Sequence, residues 1–299
     1  MNSVLPLVIY AVLMAGHFAA EPARWRLLFW DSCSWQFPKW FHLHNVTALL
    51  SYLLPAKLGI PLRLGLIKQQ TQLAMSTVLA GLGMDAAIYY VTWAFVAAML
   101  AVGSPALRAR FGSVNPVVLL VVIFLVAALG LLLRRAGSRR DQADPGKPKS
   151  GLAGLQAALG AVYGLPRRRL MLVLGLVLTD VLAEGVRQAC LAAALGIPVP
   201  MSTMMLVGIV GFAAGLFSFM PMGLGAYDAT VILLLSGSGV QPAQLVGLLA
   251  GNRLALIAFS AVLGSVGAHQ LGLRPSQLKA FRDLVLRRKQ APQPDLTDH

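Results

Sequence analysis

The stretch STMMLVGIVGFAAGLFSFMPMGLGAYDATVILLL, Ser202 to Leu235, is apolar for long enough to cross a bilayer and yet breaks in its middle. A helix needs about 20 apolar residues to cross the hydrocarbon core. Within this run, Phe219 to Ala229 reads FMPMGLGAYDA. Pro221 has no amide donor, and Gly223 and Gly225 weaken a helix, so the chain is predicted to unwind there. Unwound backbone at membrane depth is tolerated only where protein or a wet cavity surrounds it. The segment is therefore read as a helical hairpin that dips into the protein. A second segment, Trp40 to Thr71, behaves the same way, broken by LLPAKLGIPLRLG from Leu53 to Gly65. Pro55 and Gly59 in one break answer Pro221 and Gly225 in the other, each pair spaced P-x-x-x-G.

Around these hairpins lie plain apolar stretches, Ser3 to Ala20, Met84 to Val102, Val114 to Leu133, Leu170 to Ala194 and Ala243 to Gln270, each able to close its own backbone hydrogen bonds in lipid. The chain is 57% hydrophobic and only 12% charged. A soluble domain is about a quarter charged, so the apolar residues here must face lipid as well as one another. The fold class is all-α, a polytopic membrane helix bundle. The first stretch lacks a basic start and is followed by more spans, so it is read as a retained helix rather than a signal peptide.

The net charge of +14 is distributed between the spans. Arg134, Arg135, Arg139, Arg140, Lys147, Lys149 and Arg167 to Arg169 share a central loop; Arg274, Lys279, Arg282, Arg287, Arg288 and Lys289 share the tail; Arg24, Arg26 and Lys39 share the first loop. The positive-inside rule makes all three cytoplasmic. The uncharged connections Gly196 to Met201 and Ser236 to Pro242 fit the outer face, with Arg108 and Arg110 as a minor exception. No basic groove with interleaved aromatics appears, which argues against nucleic acid. The resulting topology has two inverted halves: a first repeat with its linking span over 1–133, a basic cytoplasmic linker over 134–169, a second repeat over 170–270 and a basic tail over 271–299. Inverted repeats with broken helices near the midplane are a recurring transporter plan. Gly151 to Leu165 is expected along the interface, and Gln290 to His299 is expected to be disordered.

Ionisable residues inside a bilayer are functional candidates by default. Asp180, Glu184 and Arg187 are spaced to share one helix face. They read either as a polar lining for a headgroup or a proton-coupled site, or as an internal ion pair of Glu184 with Arg187. Arg253, beside Asn252, is suited to a phosphate by its planar donor fork, or is neutralised by Asp228 or Glu184. Lys57 and Arg63 flank the first break, with Lys68 nearer the cytoplasm; they meet an anionic head if the hairpin tip faces a cavity and are interfacial anchors if it does not. Asp85 is read as the N-terminal acid of a span. His17 is read as a hydrogen-bonded helix residue. Trp25, Trp30, Trp35 and Trp40 suit an aromatic belt at the headgroups, with His42 and His44 interfacial beside them. The two cysteines, Cys33 and Cys190, suggest neither a disulfide framework nor a metal site. No Ser-His-Asp signature, phosphate loop or zinc motif appears, so no enzyme activity, cofactor or metal is expected.

At the hairpins the chain resembles the lysylphosphatidylglycerol-synthetase-type transmembrane family, flippase-like integral membrane proteins. Pro55, Gly59 and Arg63 follow Asn45 in NVTALLSYLLP; PMGLGAYD supplies Pro221, Gly223, Gly225 and Asp228; and Arg253 stands in LLAGNRLAL. The run Ala23-Arg24-Trp25-Arg26 also looks familial. Ile60 stands where a family acid commonly follows the first glycine, Gly81 and Leu82 replace a Glu-Arg pair ahead of Asp85, and Asp228 replaces the usual Glu. This is a divergent pattern, expected without the soluble aminoacyl-transfer domain of fused synthetases. The resemblance implies a lipid-handling protein of the bacterial cytoplasmic membrane. The expected function is movement between leaflets of an anionic lipid, a phospholipid or a polyprenyl-phosphate-linked lipid. Lys57, Arg63 and Arg253 would neutralise the headgroup, while Asp180, Glu184, Arg187 and Asp228 complete the site. The alternatives are a lipid-modifying enzyme or accessory subunit of an envelope pathway, and a scaffold that docks a partner on the central loop.

Overall fold

The computed structural model describes residues 4–53, 59–103, 164–217 and 223–273. The expected span Val114 to Leu133, the linker to residue 163, the tail from Arg274, and Pro55, Lys57 and Pro221 lie outside the described residues. Among those residues there are eight helices and no strand. In chain order they are α1 (Val4–Leu28), α2 (Phe37–Leu53), α3 (Gly59–Thr71), α4 (Met75–Gly103), α5 (Arg167–Ala194), α6 (Met201–Phe217), α7 (Ala226–Leu235) and α8 (Pro242–Gln270). The all-α class holds.

Local chemistry sets the ends of these helices. Pro242 opens α8 where its missing amide costs nothing. The Gln244 side chain accepts the Gln241 N–H at 3.1 Å. At the far end, Gly272 takes φ +64°, while Leu273 N–H reaches Ala268 C=O at 2.9 Å and Gly272 N–H reaches His269 C=O at 3.0 Å. The last carbonyls are thereby satisfied in a Schellman motif. Gly196 ends α5 by the same device, with Ile197 N–H on Ala192 C=O at 3.0 Å.

α1, α4 and α8 are long and apolar enough to cross a membrane. The 29 residues of α4 and of α8 make rods about 43 Å long, more than the roughly 30 Å hydrocarbon core. α5 has comparable length but carries Asp180, Glu184 and Arg187 in its middle, all buried. Large apolar side chains point outward, among them Val12, Leu182, Val246, Leu254, Val262 and Val266. A surface this apolar is solvated by lipid.

Two helix starts and ends differ from the sequence reading. α1 runs through Pro22 to Leu28 instead of stopping at Ala20. α4 begins at Met75, not Met84, because Gly81 and Gly83 do not interrupt it. Gly81 is the seat of the Phe29 ring: a Cβ there would lie 2.3 Å from Phe29 Cζ. Asp85 consequently lies about three turns inside α4 and is no helix-terminal acid.

Helix directions follow from the contacts. Met14 and His17 of α1, and Asp31 just beyond its end, meet Arg187, Asp180 and Arg169 of α5 in turn, so the two helices are antiparallel. α2 runs antiparallel to α8, whose Gly264 and Gly267 let the backbones touch. A Cβ at Gly267 would stand 2.7 Å from His42 O, and one at Gly264 2.9 Å from Asn45 O. α6 and α7 fold back on one another, with Gly211 against Val231 and Gly215 against Tyr227 and Gly223.

The packing partners show an internal correspondence. Exchanging α1 with α5, α2 with α6, α3 with α7 and α4 with α8 turns α1–α2 into α5–α6, α2–α3 into α6–α7, and α2–α8 into α6–α4, all of which pack together. The same exchange turns α1–α4 into α5–α8 and α1–α8 into α5–α4, and returns α1–α5 to itself. The antiparallel α1–α5 contact is therefore the one pair, among several that join the two halves, that the exchange leaves unchanged.

A polar spine along helix α1 as the candidate functional site

Tyr10, Met14, His17, Glu21 and Arg24 recur every three or four residues and so lie on one face of α1. From Tyr10 to Arg24 this face extends about 21 Å. Each residue meets a polar group brought by another helix. Tyr10 OH donates to Asn252 Oδ1 of α8 at 3.0 Å. Met14 Sδ receives Arg187 Nη1 at 3.3 Å, while Arg187 also pairs with Glu184, whose other oxygen accepts Gln188 Nε2 at 2.9 Å. His17 Nδ1 and Asp180 Oδ1 are 2.8 Å apart. Glu21 Oε1 accepts Arg63 Nη1 at 2.6 Å and lies 3.7 Å from His44 Nδ1. Arg24 Nε donates to Asp85 Oδ1 at 2.7 Å, and Trp25 Nε1 to Asp85 Oδ2 at 3.3 Å.

Aromatic rings frame these charges. The Arg24 guanidinium lies 5.0 Å from the Tyr89 ring centroid and that of Arg63 lies 5.2 Å from Trp25. Trp25 meets Trp40 and His44 edge to face. Desolvated cations held over rings gain more from the ring quadrupole than exposed ones do. This arrangement corrects several readings. Trp25 and Trp40 are fully buried and form no headgroup belt; Trp30 is the exposed one. His44 is buried beside Glu21 rather than interfacial. Arg24 is a buried ion-pair partner of Asp85, so it belongs to the interior and not to a cytoplasmic loop.

A second polar locus closes the other hairpin. Arg253 Nη2 of α8 lies 2.5 and 2.6 Å from the two oxygens of Asp228, which also accepts the Gly225 N–H at 3.1 Å. Gly225 takes φ +85° and Gly223 φ +68°. Both backbones are open chiefly to glycine. A Cβ on Gly223 would stand 2.7 Å from Gly215 Cα. The turn into α7 is thus fixed by two glycines and tethered by one carboxylate to α8.

The predicted site residues divide accordingly. Asp180, Glu184 and Arg187 are buried together on the α1 side of α5. Arg63 joins Glu21 beside the first break, and Arg253 joins Asp228 beside the second. Gly59 opens α3. Lys68 stays exposed near the end of that helix. Lys57 lies outside the described residues. The sequence reading missed Tyr10, Glu21, Arg24, Gln188 and Asn252 as members of the site. For Tyr10, Glu21 and Arg24 the signal was the polar stripe at helical spacing in an otherwise apolar α1. Among the described residues no group of three His, Cys, Asp or Glu could hold a metal.

Several buried polar atoms of the spine have no hydrogen-bond partner among the described residues: Arg24 Nη1, Arg63 Nε, Arg187 Nε and Gln188 Oε1. Such atoms are costly to desolvate and are available to a polar ligand or to water.

No curated protein and no solved structure matches the chain. A family model does, from residue 2 to residue 264, and so over all eight described helices but the last turns of α8, and every residue of the spine. The chain is a polytopic membrane protein belonging to the family of the lysylphosphatidylglycerol synthase TM region.

Proposed function

We propose that the protein moves an anionic lipid, a phospholipid or a polyprenyl-phosphate-linked lipid, between the leaflets of a bacterial cytoplasmic membrane, and that it does so as a transporter and not as an enzyme. The observation that carries this reading is the matched placement of Arg63 and Arg253. One stands beside each helix break, each is held by a single carboxylate, and their side chains keep 24% and 23% exposure. A guanidinium in that setting can exchange one anionic partner for another. Glu21 gives Arg63 one oxygen and Asp228 gives both of its oxygens to one Arg253 nitrogen, whereas a lipid phosphate can engage the whole planar fork.

The interchangeable packing of the two halves supports the inverted-repeat reading, with both broken segments as re-entrant hairpins. In that plan one half rocks against the other around a site near the midplane. The buried charges of α5 then line the path between the halves, where a headgroup would otherwise meet only hydrocarbon.

The test is purified protein in liposomes bearing headgroup-labelled phosphatidylglycerol in both leaflets, with a membrane-impermeant quencher outside. Accelerated loss of the protected inner-leaflet signal is expected, and Arg63→Ala or Arg253→Ala should slow it. Lipid exchange no faster than in empty vesicles, for headgroups of either charge and with folded protein, would overturn the reading. Mass spectrometry of the same vesicles separates it from a lipid-modifying enzyme, which would change the headgroup.

A further inference from the structure

We propose that a proton, held between His17 and Asp180, is the coupling ion that drives the movement; the identity of the process driven rests on the transport reading above, whereas the proton site does not. The pairing of internal charges leads to it. Arg24 faces Asp85, Arg63 faces Glu21, Arg187 faces Glu184 and Arg253 faces Asp228. Among the described residues, Asp180 is the buried carboxylate left without an arginine partner. Its side chain is 4% exposed, and what it touches is an imidazole.

A buried carboxylate without a countercharge is strongly disfavoured. Asp180 interacts with His17 and Arg24 of α1, Tyr89 of α4 and Arg187 of α5 itself. Its partner His17 interacts in turn with Glu21 of α1 and His44 of α2. The arginines keep their charge at every physiological pH and are committed to other acids. Histidine is the side chain that gains and loses charge in that range.

The proton cycle balances as follows. With an imidazolium, Nδ1–H donates to the ionised Asp180 and the pair is neutral. When Nε2 gives its proton to water, a neutral ring and an ionised Asp180 remain, and the α1–α5 contact carries one net negative charge. Burial then favours separation of the two helices or entry of water, and reprotonation closes them again. His17, with 20% of its side chain exposed, is the accessible member of the pair. Glu21 and His44 stand one turn further along α1 as the next station.

Position adds a second, independent reason. The α1–α5 contact is the packing pair that the exchange of halves maps onto itself. A charge appearing there acts on the boundary between the halves, of which α2–α8 and α4–α6 are also part, whereas a charge inside either half would not. His17–Asp180 is thus placed to convert protonation into relative motion.

Liposomes carrying the protein, a labelled phosphatidylglycerol and an internal pH dye test the idea directly. An imposed pH gradient is expected to change the lipid rate severalfold, and the ratio of rates with and without the gradient should fall to one in His17→Gln and in Asp180→Asn. A wild-type rate indifferent to gradients of either sign would overturn the proposal and leave lipid movement standing. If wild type moves no lipid at all, the transport reading fails and the site is judged by nitrogen-15 NMR of histidine-labelled wild type in nanodiscs, with His17→Gln for assignment. Conversion of the His17 ring from one to two protonated nitrogens on acidification supports the site; an unchanging ring overturns it. If His17→Gln fails to fold, replacing the other four histidines in turn assigns the His17 ring, and the wild-type spectrum still decides.

Discussion

Arg24 and Asp85 stand 61 positions apart in sequence and 2.7 Å apart in the fold, joining the end of α1 to the middle of α4 with both side chains almost wholly out of solvent. Removing one partner of a buried pair leaves an uncompensated charge, at a cost of about 3–5 kcal/mol. Asp85→Asn is therefore expected to lower the unfolding free energy in detergent by roughly that amount. The double variant Arg24→Met/Asp85→Leu should recover most of it, because neither charge is then buried. A chemical-denaturation cycle of the two single variants and the double reads this coupling. A single-variant loss under about 1 kcal/mol would fit an exposed pair instead.

The same pair shows what the sequence could and could not reveal. Hydrophobic length made the helix bundle legible, and Gly223 and Gly225 the turn into α7, since bilayer thickness and backbone chemistry act locally. The start of α4 was not legible: the apolar stretch reads from Met84, whereas the helix begins at Met75 and carries Gly81 inside it with Phe29 packed on it. That misplaced start put Asp85 at a helix terminus and hid its partner. On α5 the spacing of Asp180, Glu184 and Arg187 correctly grouped residues of one helix. The partners supplied by α1 come from over a hundred and sixty positions away, and no local pattern in α5 contains them. The stripe on α1 was visible, but its meaning depends on which helices surround it.

Contact between α2 and α8 depends on glycine in a way that gives a sharp comparison. A methyl at Gly267 would meet the His42 carbonyl oxygen at 2.7 Å, a backbone atom that cannot rotate away. Gly267→Ala should force the helices apart and cost about 1–3 kcal/mol, as overpacking does. Gly16, in the middle of α1, has nothing within 4 Å of the equivalent position. Gly16→Ala should be neutral or stabilise by up to about 1 kcal/mol through helix propensity. Thermal unfolding in one detergent resolves the two signs.

The two thiols probe topology and burial together. Cys33 is partly exposed in the connection after α1, its N–H on the Phe29 carbonyl at 2.8 Å; Cys190 is buried in the α5 core. Reaction of a thiol needs access for the thiolate. A membrane-impermeant maleimide is expected to label Cys33 in inside-out vesicles and not in sealed right-side-out ones, with Cys190 reacting only after denaturation. Labelling of Cys33 from the outer face would reverse the assigned orientation.

Arg253 and Asp228 allow binding and structural roles to be separated by sign. If Asp228 competes with a lipid phosphate for the guanidinium, weakening the competitor should strengthen lipid binding. Asp228→Asn keeps an oxygen able to accept the Gly225 N–H and loses the charge that holds Arg253. The half-saturating concentration of an anionic lipid should therefore fall in Asp228→Asn and rise in Arg253→Ala. A hydrogen bond to a charged group is worth about 1.5–3 kcal/mol, so the rise should be roughly tenfold to a hundredfold. Arg253→Lys should lie between, since an ammonium keeps the charge without the planar fork. Measured with phosphatidylglycerol in nanodiscs, parallel losses of stability in Asp228→Asn and Arg253→Ala, with no opposed change in lipid dependence, would make the pair a strut between α7 and α8 and leave Arg63 as the headgroup cation.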